Sequence, residues 1–253
     1  MTRILAVANQ KGGVGKTTTV INLGASLAVN DLDVLVLDMD PQTNATSGLG
    51  LEDTERGGMM DLLTGEATVG KLVVETEVEG LWAIPGSRGL AGLEIELASE
   101  SGRESFLAHA LRESESLNGY DYVLVDCPPS LGLLTVNSLV AATGVLLPLQ
   151  SEYYALEGLS HLMDTIGEVR RLWNSDLRIE GVFLTMYDGR LRLAREVADN
   201  VASHLGESLM ETKIPRNVRL SEAPSYGKPA MLYDAYCAGS KSYLRLAGEV
   251  MSR

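Results

Sequence analysis

The feature that most constrains this chain is a glycine-rich segment near its start, residues 9–19, with the sequence NQKGGVGKTTT. It follows an apolar run at residues 4–8 and precedes a helical pattern at residues 18–29. A glycine-rich turn between a strand and a helix directs backbone N–H groups and the positive end of the helix at an anion. Lys16 can then reach terminal phosphates, and the Thr17 hydroxyl can ligate magnesium. The segment therefore predicts a phosphate-binding loop.

The loop departs from the usual G-x-x-x-x-G-K-[ST] pattern, because Gln10 stands where a glycine is usual. It also carries a second lysine, Lys11. From the loop alone, Lys11 can be a solvated side chain or an additional functional cation.

Composition limits the classes of protein to which the chain can belong. Its 253 residues are 45% hydrophobic, which favours one large α/β domain over residues 1–253. The net charge of −13 argues against coating nucleic acid through the overall field, so DNA binding would need a local basic cluster. Two cysteines, Cys127 and Cys237, are too few for a disulfide framework, and no signal peptide opens the chain. We expect a reducing cytoplasm, and no apolar run reaches the roughly 20 residues that span a bilayer.

Short apolar runs separated by helical patterns predict the fold. Such runs are typical of strands that are buried on both faces of a parallel sheet. They lie at residues 4–8, 34–37, 122–125, 145–149 and 182–186, with a further strand predicted at residues 80–84. Helical patterns cover residues 60–63, 90–117 (one or two helices), 131–142, a stretch ending near residue 172, and 242–251. The expected fold is α/β, with a mostly parallel twisted sheet flanked by helices on both faces.

Acidic residues follow two of these runs: Asp38 and Asp40 after the second, and Asp126 after the third. Ligands in open α/β sheets bind at the carboxyl ends of the strands, which is also where the glycine-rich loop lies. An aspartate that ends a strand is the Walker B arrangement, in which the carboxylate holds magnesium directly or through water. The position of Asp40 alone does not distinguish a functional carboxylate from a chance one.

Two basic groups stand out in this acidic chain. Residues 187–195 contain Arg190, Arg192 and Arg195, and residues 213–219 contain Arg216 and Arg219. Such runs are usually solvated surface, but arginine also suits phosphate contact because its planar fork can pair with two oxygens.

Several residues have structural explanations that compete with functional ones. Cys127 is expected to be a buried, inert thiol rather than a metal or redox group. The aromatic pair Tyr153 and Tyr154 is more typical of packing than of base stacking. The histidines lack metal-ligand spacing and are treated as structural: His109, His161 and His204.

Three strings together resemble the ParA/MinD superfamily of ATPases, and within it the short ParA/Soj type with a deviant Walker A loop. They are KGGVGKTTT at residues 11–19, DMDPQTNATSGLG at residues 38–50 and IPRNVRLSEAPS at residues 214–225. The resemblance implies a P-loop NTPase-like fold and a magnesium-dependent ATP hydrolase that segregates chromosomes or plasmids. It also implies an ATP-dependent homodimer, non-specific binding to double-stranded DNA of the nucleoid, hydrolysis stimulated by a ParB-like partner, and no membrane partner.

The same resemblance assigns roles to residues. Lys11, Lys16 and Asp40 are the catalytic candidates: Lys11 crosses to the nucleotide of a second subunit, and Asp40 positions the attacking water. The magnesium candidates are Thr17, Asp126 through water, and Asp40 through water. The nucleotide-binding candidates are Lys11, Gly12, Gly13, Val14, Gly15, Lys16, Thr17, Thr18, Pro215 and Asn217. The DNA-binding candidates are Arg190 and Arg219, with Arg192, Arg195 and Arg216 as helpers.

The resemblance also places Tyr153 and Tyr154 near a dimer interface. Tyr236 and Ala238 stand where relatives often carry basic residues, which predicts a thinner DNA-binding patch there.

Three alternatives share the loop. A MinD-like membrane-cycling ATPase needs a basic amphipathic tail, and only Ser252 and Arg253 follow the last predicted helix. An iron–sulfur reductase could use two cysteines per subunit across a dimer, but Cys127 and Cys237 are poorly placed for that. An ATP-sensing regulator of replication initiation would bind nucleotide with little turnover.

Overall fold

The computed structural model describes residues 2–51, 57–152 and 155–253. Within these residues seven strands form one sheet in the order β3-β4-β2-β5-β1-β6-β7. The strands are β1 Arg3–Val7, β2 Val34–Asp38, β3 Val74–Glu75, β4 Leu81–Ile84, β5 Tyr122–Asp126, β6 Gly144–Gln150 and β7 Arg178–Thr185. Neighbouring strands run parallel except β3, which pairs antiparallel with β4 at one edge.

Helices connect the strands and complete the chain. They are α1 Lys16–Ala28, α2 Asn44–Gly48, α3 Met59–Thr64, α4 Val69–Leu72, α5 Leu90–Glu96, α6 Phe106–Arg112, α7 Leu133–Ala141, α8 Ala155–Leu172, α9 Arg192–Leu205, α10 Val218–Glu222, α11 Ala230–Tyr233 and α12 Ala238–Met251. In the described part of the chain, none of them combines the length and apolar character needed to cross a membrane.

The hydrophobic core lies on both faces of the sheet. Alternate residues of β1 point to opposite sides, so Leu5 and Val7 join a cluster with α1 and α12. Ala6 joins a second cluster, built largely from α6, α7 and α8. Helices therefore cover both faces, and the predicted α/β class with a mostly parallel sheet is confirmed.

The predicted segments match most elements, with differences at their ends. β7 begins at Arg178, four residues before the apolar run, because its pairing with β6 starts at Gly144 and Arg178. The last helix begins at Ala238 rather than residue 242, and the Cys237 sulfur accepts a hydrogen bond from the Ser240 amide at 3.3 Å. The two-residue strand β3 was not predicted, since so short a segment has no periodic pattern.

Candidate nucleotide site

Strand pairing brings the predicted acidic residues to one edge of the sheet. Asp126 ends β5 and is paired in register with Val7 of β1 and with Asp38 of β2. The glycine-rich loop leaves β1 at the same level and enters α1 at Lys16. The loop and the carboxylates therefore meet at the carboxyl edge, where open α/β sheets bind ligands.

The loop backbone is shaped for anion binding. Gly13 and Gly15 have φ values of +75° and +93°, a region in which a side chain is strained. Gly15 precedes α1 directly and provides no side-chain cap, so the first N–H groups of this helix point into the loop. An added Cβ at Gly12 would meet only Pro129 Cβ, at 3.9 Å, so the subunit itself has room there.

Lys16 is unusually buried for a lysine, with 6% of the residue exposed. Its Nζ donates a hydrogen bond to the Lys11 carbonyl at 3.3 Å. Burial lowers the pKa of Lys16, while the negative charges of Asp126 and Asp40 oppose that shift. A buried ammonium at this place is available to pair with a negatively charged ligand.

Asp126 has both carboxylate oxygens buried without a hydrogen-bond partner among the described residues. Burial raises its pKa well above the ordinary value and the charge of Asp38 adds to this, while Thr17 and Lys16 act in the opposite direction. The Thr17 hydroxyl is thus close enough to influence Asp126, although the two do not satisfy hydrogen-bond geometry. A buried carboxylate in this state is costly unless a cation compensates it.

The donor set fits magnesium. Mg²⁺ prefers oxygen ligands and is commonly held by one or two carboxylates together with water and substrate phosphates. Asp126 and the Thr17 hydroxyl supply such oxygens beside the phosphate loop. Among the described residues, no cluster of three His, Cys, Asp or Glu is arranged to hold a metal.

Asp38 and Asp40 differ in their hydrogen bonds. The Asp38 carboxylate accepts from the Thr46 amide at 2.8 Å, the Thr46 hydroxyl at 2.6 Å and the Asp40 amide at 3.2 Å. Burial raises the pKa of Asp38 to about 6. The Thr46 hydroxyl also accepts from the Gly86 amide at 2.8 Å, so Asp38 fastens α2 and the segment after β4 to the sheet.

Asp40 is less constrained than Asp38. One of its oxygens accepts from the Gln42 amide at 2.9 Å, and its other oxygen has no hydrogen-bond partner in the described part of the chain. Asp40 is close enough to influence the pKa of Lys16. Of the two aspartates after β2, only Asp40 therefore has an oxygen available for a ligand or a water.

A cavity of about 400 Å³ adjoins the loop. Gly15 and Thr18 line one side, and Pro215 and Asn217 line another. The Tyr187 amide donates to the Ile214 carbonyl at 3.0 Å, which brings the segment before α10 to this place. The structure thus joins Pro215 and Asn217, predicted from a distant motif, to the phosphate loop.

No pattern in the sequence predicted the third wall of this cavity, which Thr185 and Met186 form. The Thr185 hydroxyl donates to the Val14 carbonyl at 2.8 Å and ties the end of β7 to the loop. Met186 adopts a positive φ of 49°, which is rare outside glycine, asparagine and aspartate. Only the sheet order, which places β7 two strands from β1, reveals the role of these residues.

Lys11 points away from its own loop. Its ammonium forms an ion pair with Glu152, and about half of each side chain is exposed. Its backbone N–H donates to the Asn9 side chain at 2.9 Å. Tyr153 and Tyr154, which follow Glu152, lie outside the described residues. The structure therefore separates Lys11 from Lys16: one lysine faces the surface, and the other is buried in the site.

The predicted DNA-binding arginines of the first basic group are exposed, and two of them already have carboxylate partners. The Nε and Nη2 groups of Arg190 donate hydrogen bonds to the two carboxylate oxygens of Asp188, at 2.9 and 2.7 Å. These bonds lower the pKa of Asp188 to about 2. Arg192 pairs with Glu196 at 2.6 Å on α9. Arg195 is exposed and has no ion-pair partner among the described residues.

The second basic group shows the same arrangement. Arg219 pairs with Glu222 at 2.8 Å and Asp234 at 3.4 Å, and it lies over the Tyr233 ring with 5.7 Å to the centroid. Arg216 is exposed and has no carboxylate within ion-pair distance in the described ranges. Tyr236, where the sequence predicts a thinner DNA-binding patch, is 85% exposed.

Comparison with known proteins shows the family of this chain. A family model described as an AAA domain matches residues 2–179. The chromosome partitioning protein ParA of Caulobacter vibrioides is 53% identical over 252 residues, covering 99% of this chain and 94% of the relative. The sporulation initiation inhibitor protein Soj of Bacillus subtilis is 52% identical, covering 99% and 98%. This chain belongs to the ParA/Soj family of chromosome-partitioning ATPases.

A solved structure extends the comparison to ligands. The cobyrinic acid a,c-diamide synthase of Mycobacterium smegmatis, with a bound ATP analogue and magnesium, is 37% identical and superposes with a TM-score of 0.84. The match covers 98% of this chain and 93% of that one. The P-loop NTPase-like fold of the ParA/Soj chain is thus shared with a relative that holds nucleotide and magnesium.

Proposed function

We propose that this ParA/Soj chain is an ATP-driven switch for segregating DNA, whose nucleotide site controls a DNA-binding surface. The observation that carries the proposal is the buried Asp126 beside Lys16, next to a loop in which two glycines have positive φ. Among the described residues, the Asp126 carboxylate oxygens have no hydrogen-bond partner. A closed core rarely leaves such charges uncompensated, so the site is built for an anionic ligand with its cation.

The chain supplies each part of a nucleotide site. The loop amides and Lys16 hold the phosphates of ATP, and the cavity beside Pro215 and Asn217 takes the base. Thr17, Asp126 through water and Asp40 through water would hold magnesium. When bound, magnesium neutralises negative charge on the bridging phosphate oxygens and on the transferring group.

Hydrolysis depends on orienting a water and stabilising charge. The free oxygen of Asp40 positions the attacking water, while Lys16 and Lys11 stabilise the charge on the transferring phosphoryl group. Asp38 cannot take this role, because its oxygens are committed to Thr46 and to the Asp40 amide.

Two subunits then sandwich their nucleotides. Lys11 leaves Glu152 and pairs with the phosphates that the partner subunit binds. The exposed position of Lys11 allows this change. Gly12 gives the partner close access, because its outer face is open apart from Pro129. Dimer formation is therefore coupled to ATP through residues that the monomer leaves exposed.

The dimer carries two copies of the arginine surface, which is the set of exposed side chains of Arg190, Arg192, Arg195, Arg216 and Arg219. Doubled phosphate contacts can outweigh a net charge of −13, because charges beyond about 8 to 10 Å are screened at physiological salt. The dimer binds non-specific double-stranded DNA on the nucleoid, and the monomer binds it poorly. Hydrolysis, accelerated by a ParB-like partner, returns the chain to the monomer.

The test measures oligomeric state by light scattering with ATP, ADP and no nucleotide. Wild type is expected to dimerise only with ATP, Asp40→Ala to remain dimeric for longer, and Lys11→Ala to bind ATP but stay monomeric. Dimers of Lys11→Ala at wild-type yield would contradict the coupling. Turnover that DNA and a ParB-like partner fail to stimulate would instead favour an ATP-sensing regulator.

A further inference from the structure

A second cavity lies at the opposite edge of the sheet from the phosphate loop. It measures about 1040 Å³ and opens beside Ile4 at the start of β1, Thr143 before β6, and Arg178 at the start of β7. The five residues of β1 separate it from the loop by roughly 16 Å, at about 3.3 Å per residue. It is therefore independent of the nucleotide site.

Three arginines line this cavity: Arg112 of α6, Arg170 of α8 and Arg178 of β7. None of them has a carboxylate within ion-pair distance among the described residues, although Glu115 and Asp176 also line the cavity. Six other arginines among the described residues have such partners: Arg3, Arg103, Arg190, Arg192, Arg219 and Arg253. The unpaired Arg195 and Arg216 do not line this cavity. Unpaired guanidinium groups gathered around one concavity, in a protein of net charge −13, point to an anionic ligand.

The position of one arginine is fixed by the backbone. Arg170 Nε donates to the Leu177 carbonyl at 2.7 Å, which orients the guanidinium and leaves its two terminal amino groups without a partner in the described ranges. The side-chain amide of Asn174, two residues after the end of α8, donates to the carbonyls of Leu139, Val140 and Ala142 at 3.1, 3.1 and 2.7 Å. These bonds hold the wall of the cavity against the end of α7.

The floor of the cavity is apolar, with buried side chains of Leu111, Leu117, Val140 and Leu177. A concave apolar floor with a few convergent polar groups is typical of small-molecule sites, and the volume is at the upper end of their range. We infer that this cavity binds a phosphorylated small molecule, with the arginines on its phosphate and the floor under its organic part.

The inference can be tested by NMR titration of the protein already saturated with ADP and Mg²⁺, so that the phosphate loop is occupied. Phenyl phosphate is expected to shift the amide signals of Thr143, Asn174 and Arg178 saturably. It should bind about threefold or more tightly than inorganic phosphate, because only phenyl phosphate contacts the apolar floor.

Matched variants identify the site. The double variant Arg112→Ala with Arg178→Ala is expected to weaken phenyl phosphate binding about tenfold or more, since each loses charge-assisted hydrogen bonds. Arg171→Ala should bind as wild type, because this exposed neighbour of Arg170 on α8 does not line the cavity. Absence of saturable shifts at the cavity in wild type, or equal binding by the double variant, would overturn the inference.

Discussion

The carboxyl edge of the sheet and the arginine surface differ in how deeply their charged side chains are buried and in whether those side chains have partners. At the sheet edge, Lys16 and Asp126 are buried, and the Asp126 carboxylate has no hydrogen-bond partner among the residues that the structure describes. On the arginine surface, Arg190 and Arg219 are exposed and already paired with carboxylates. The first region is incomplete without a ligand, whereas in the second Arg190 and Arg219 must exchange partners to bind one.

We propose that this difference lets the nucleotide site control the arginine surface. Buried charged groups without partners strongly favour the binding of a ligand of opposite charge. Folding has already removed these groups from water, so ligand binding does not add that desolvation cost. Exposed arginines with local partners gain little from a single phosphate, so each contact is weak. Under the proposed function, DNA binding depends on how many such contacts act together, and dimerisation doubles that number.

The largest expected effect is at the buried lysine. Lys16→Ala should weaken ATP binding by about 100-fold or more, since it removes the buried cation that pairs with the phosphates. Isothermal titration calorimetry with ATP and Mg²⁺ measures this. Lys71→Ala, which removes an exposed lysine of α4, is the control. An affinity for ATP within about threefold of wild type would show that the loop has another role.

The variant Asp126→Asn should separate the effect of Asp126 on protein stability from its effect on nucleotide binding. Without nucleotide, the variant should unfold at no lower temperature than wild type, since it removes a buried carboxylate that lacks a partner. The rise in melting temperature that ATP and Mg²⁺ give wild type should be lost. If the nucleotide-free variant is clearly less stable, Asp126 has a structural partner and the site is not incomplete.

At the arginine surface, removing a carboxylate should strengthen binding. Glu222→Gln removes the nearer of the two carboxylate partners of Arg219 and should raise the DNA affinity of the ATP-bound protein about threefold to tenfold. Arg219→Ala should lower it by a similar factor. Fluorescence anisotropy with a non-specific duplex reports both. Glu168→Gln, an exposed site on α8, changes the net charge equally. An equal gain in that control would attribute the effect to overall charge.

The smallest expected effect concerns the pair Asp188 and Arg190. The fork of Arg190 lowers the pKa of Asp188 to about 2, so Arg190→Ala should return it to about 4. The stabilisation by this pair is present above the ordinary carboxyl pKa and is lost as the pH falls towards 2; it is slight because both groups are exposed. NMR titration of the carboxyl carbon measures the midpoint. An unchanged midpoint would mean that Arg190 is free in solution.

Local patterns in the sequence were enough to predict the fold class and the loop. Buried parallel strands have continuous apolar runs, and the glycines with Lys16 and Thr17 form a contiguous string. The contrast between Asp38 and Asp40 was not predictable, because it depends on Thr46 and Gly86, which the fold brings to Asp38 from different segments. The pairing of Arg219 with Asp234 likewise depends on the path of the chain between α10 and α12.

The central claim is that the incomplete site at the sheet edge controls the arginine surface. It is tested most directly by titrating non-specific duplex DNA against the wild-type protein with ATP, with ADP and without nucleotide, at several salt concentrations. We predict tight binding in the presence of ATP, and not with ADP or without nucleotide. The affinity with ATP should fall steeply as salt increases, because several phosphate contacts act together. Equal affinity and equal salt dependence in all three nucleotide states would contradict the claim.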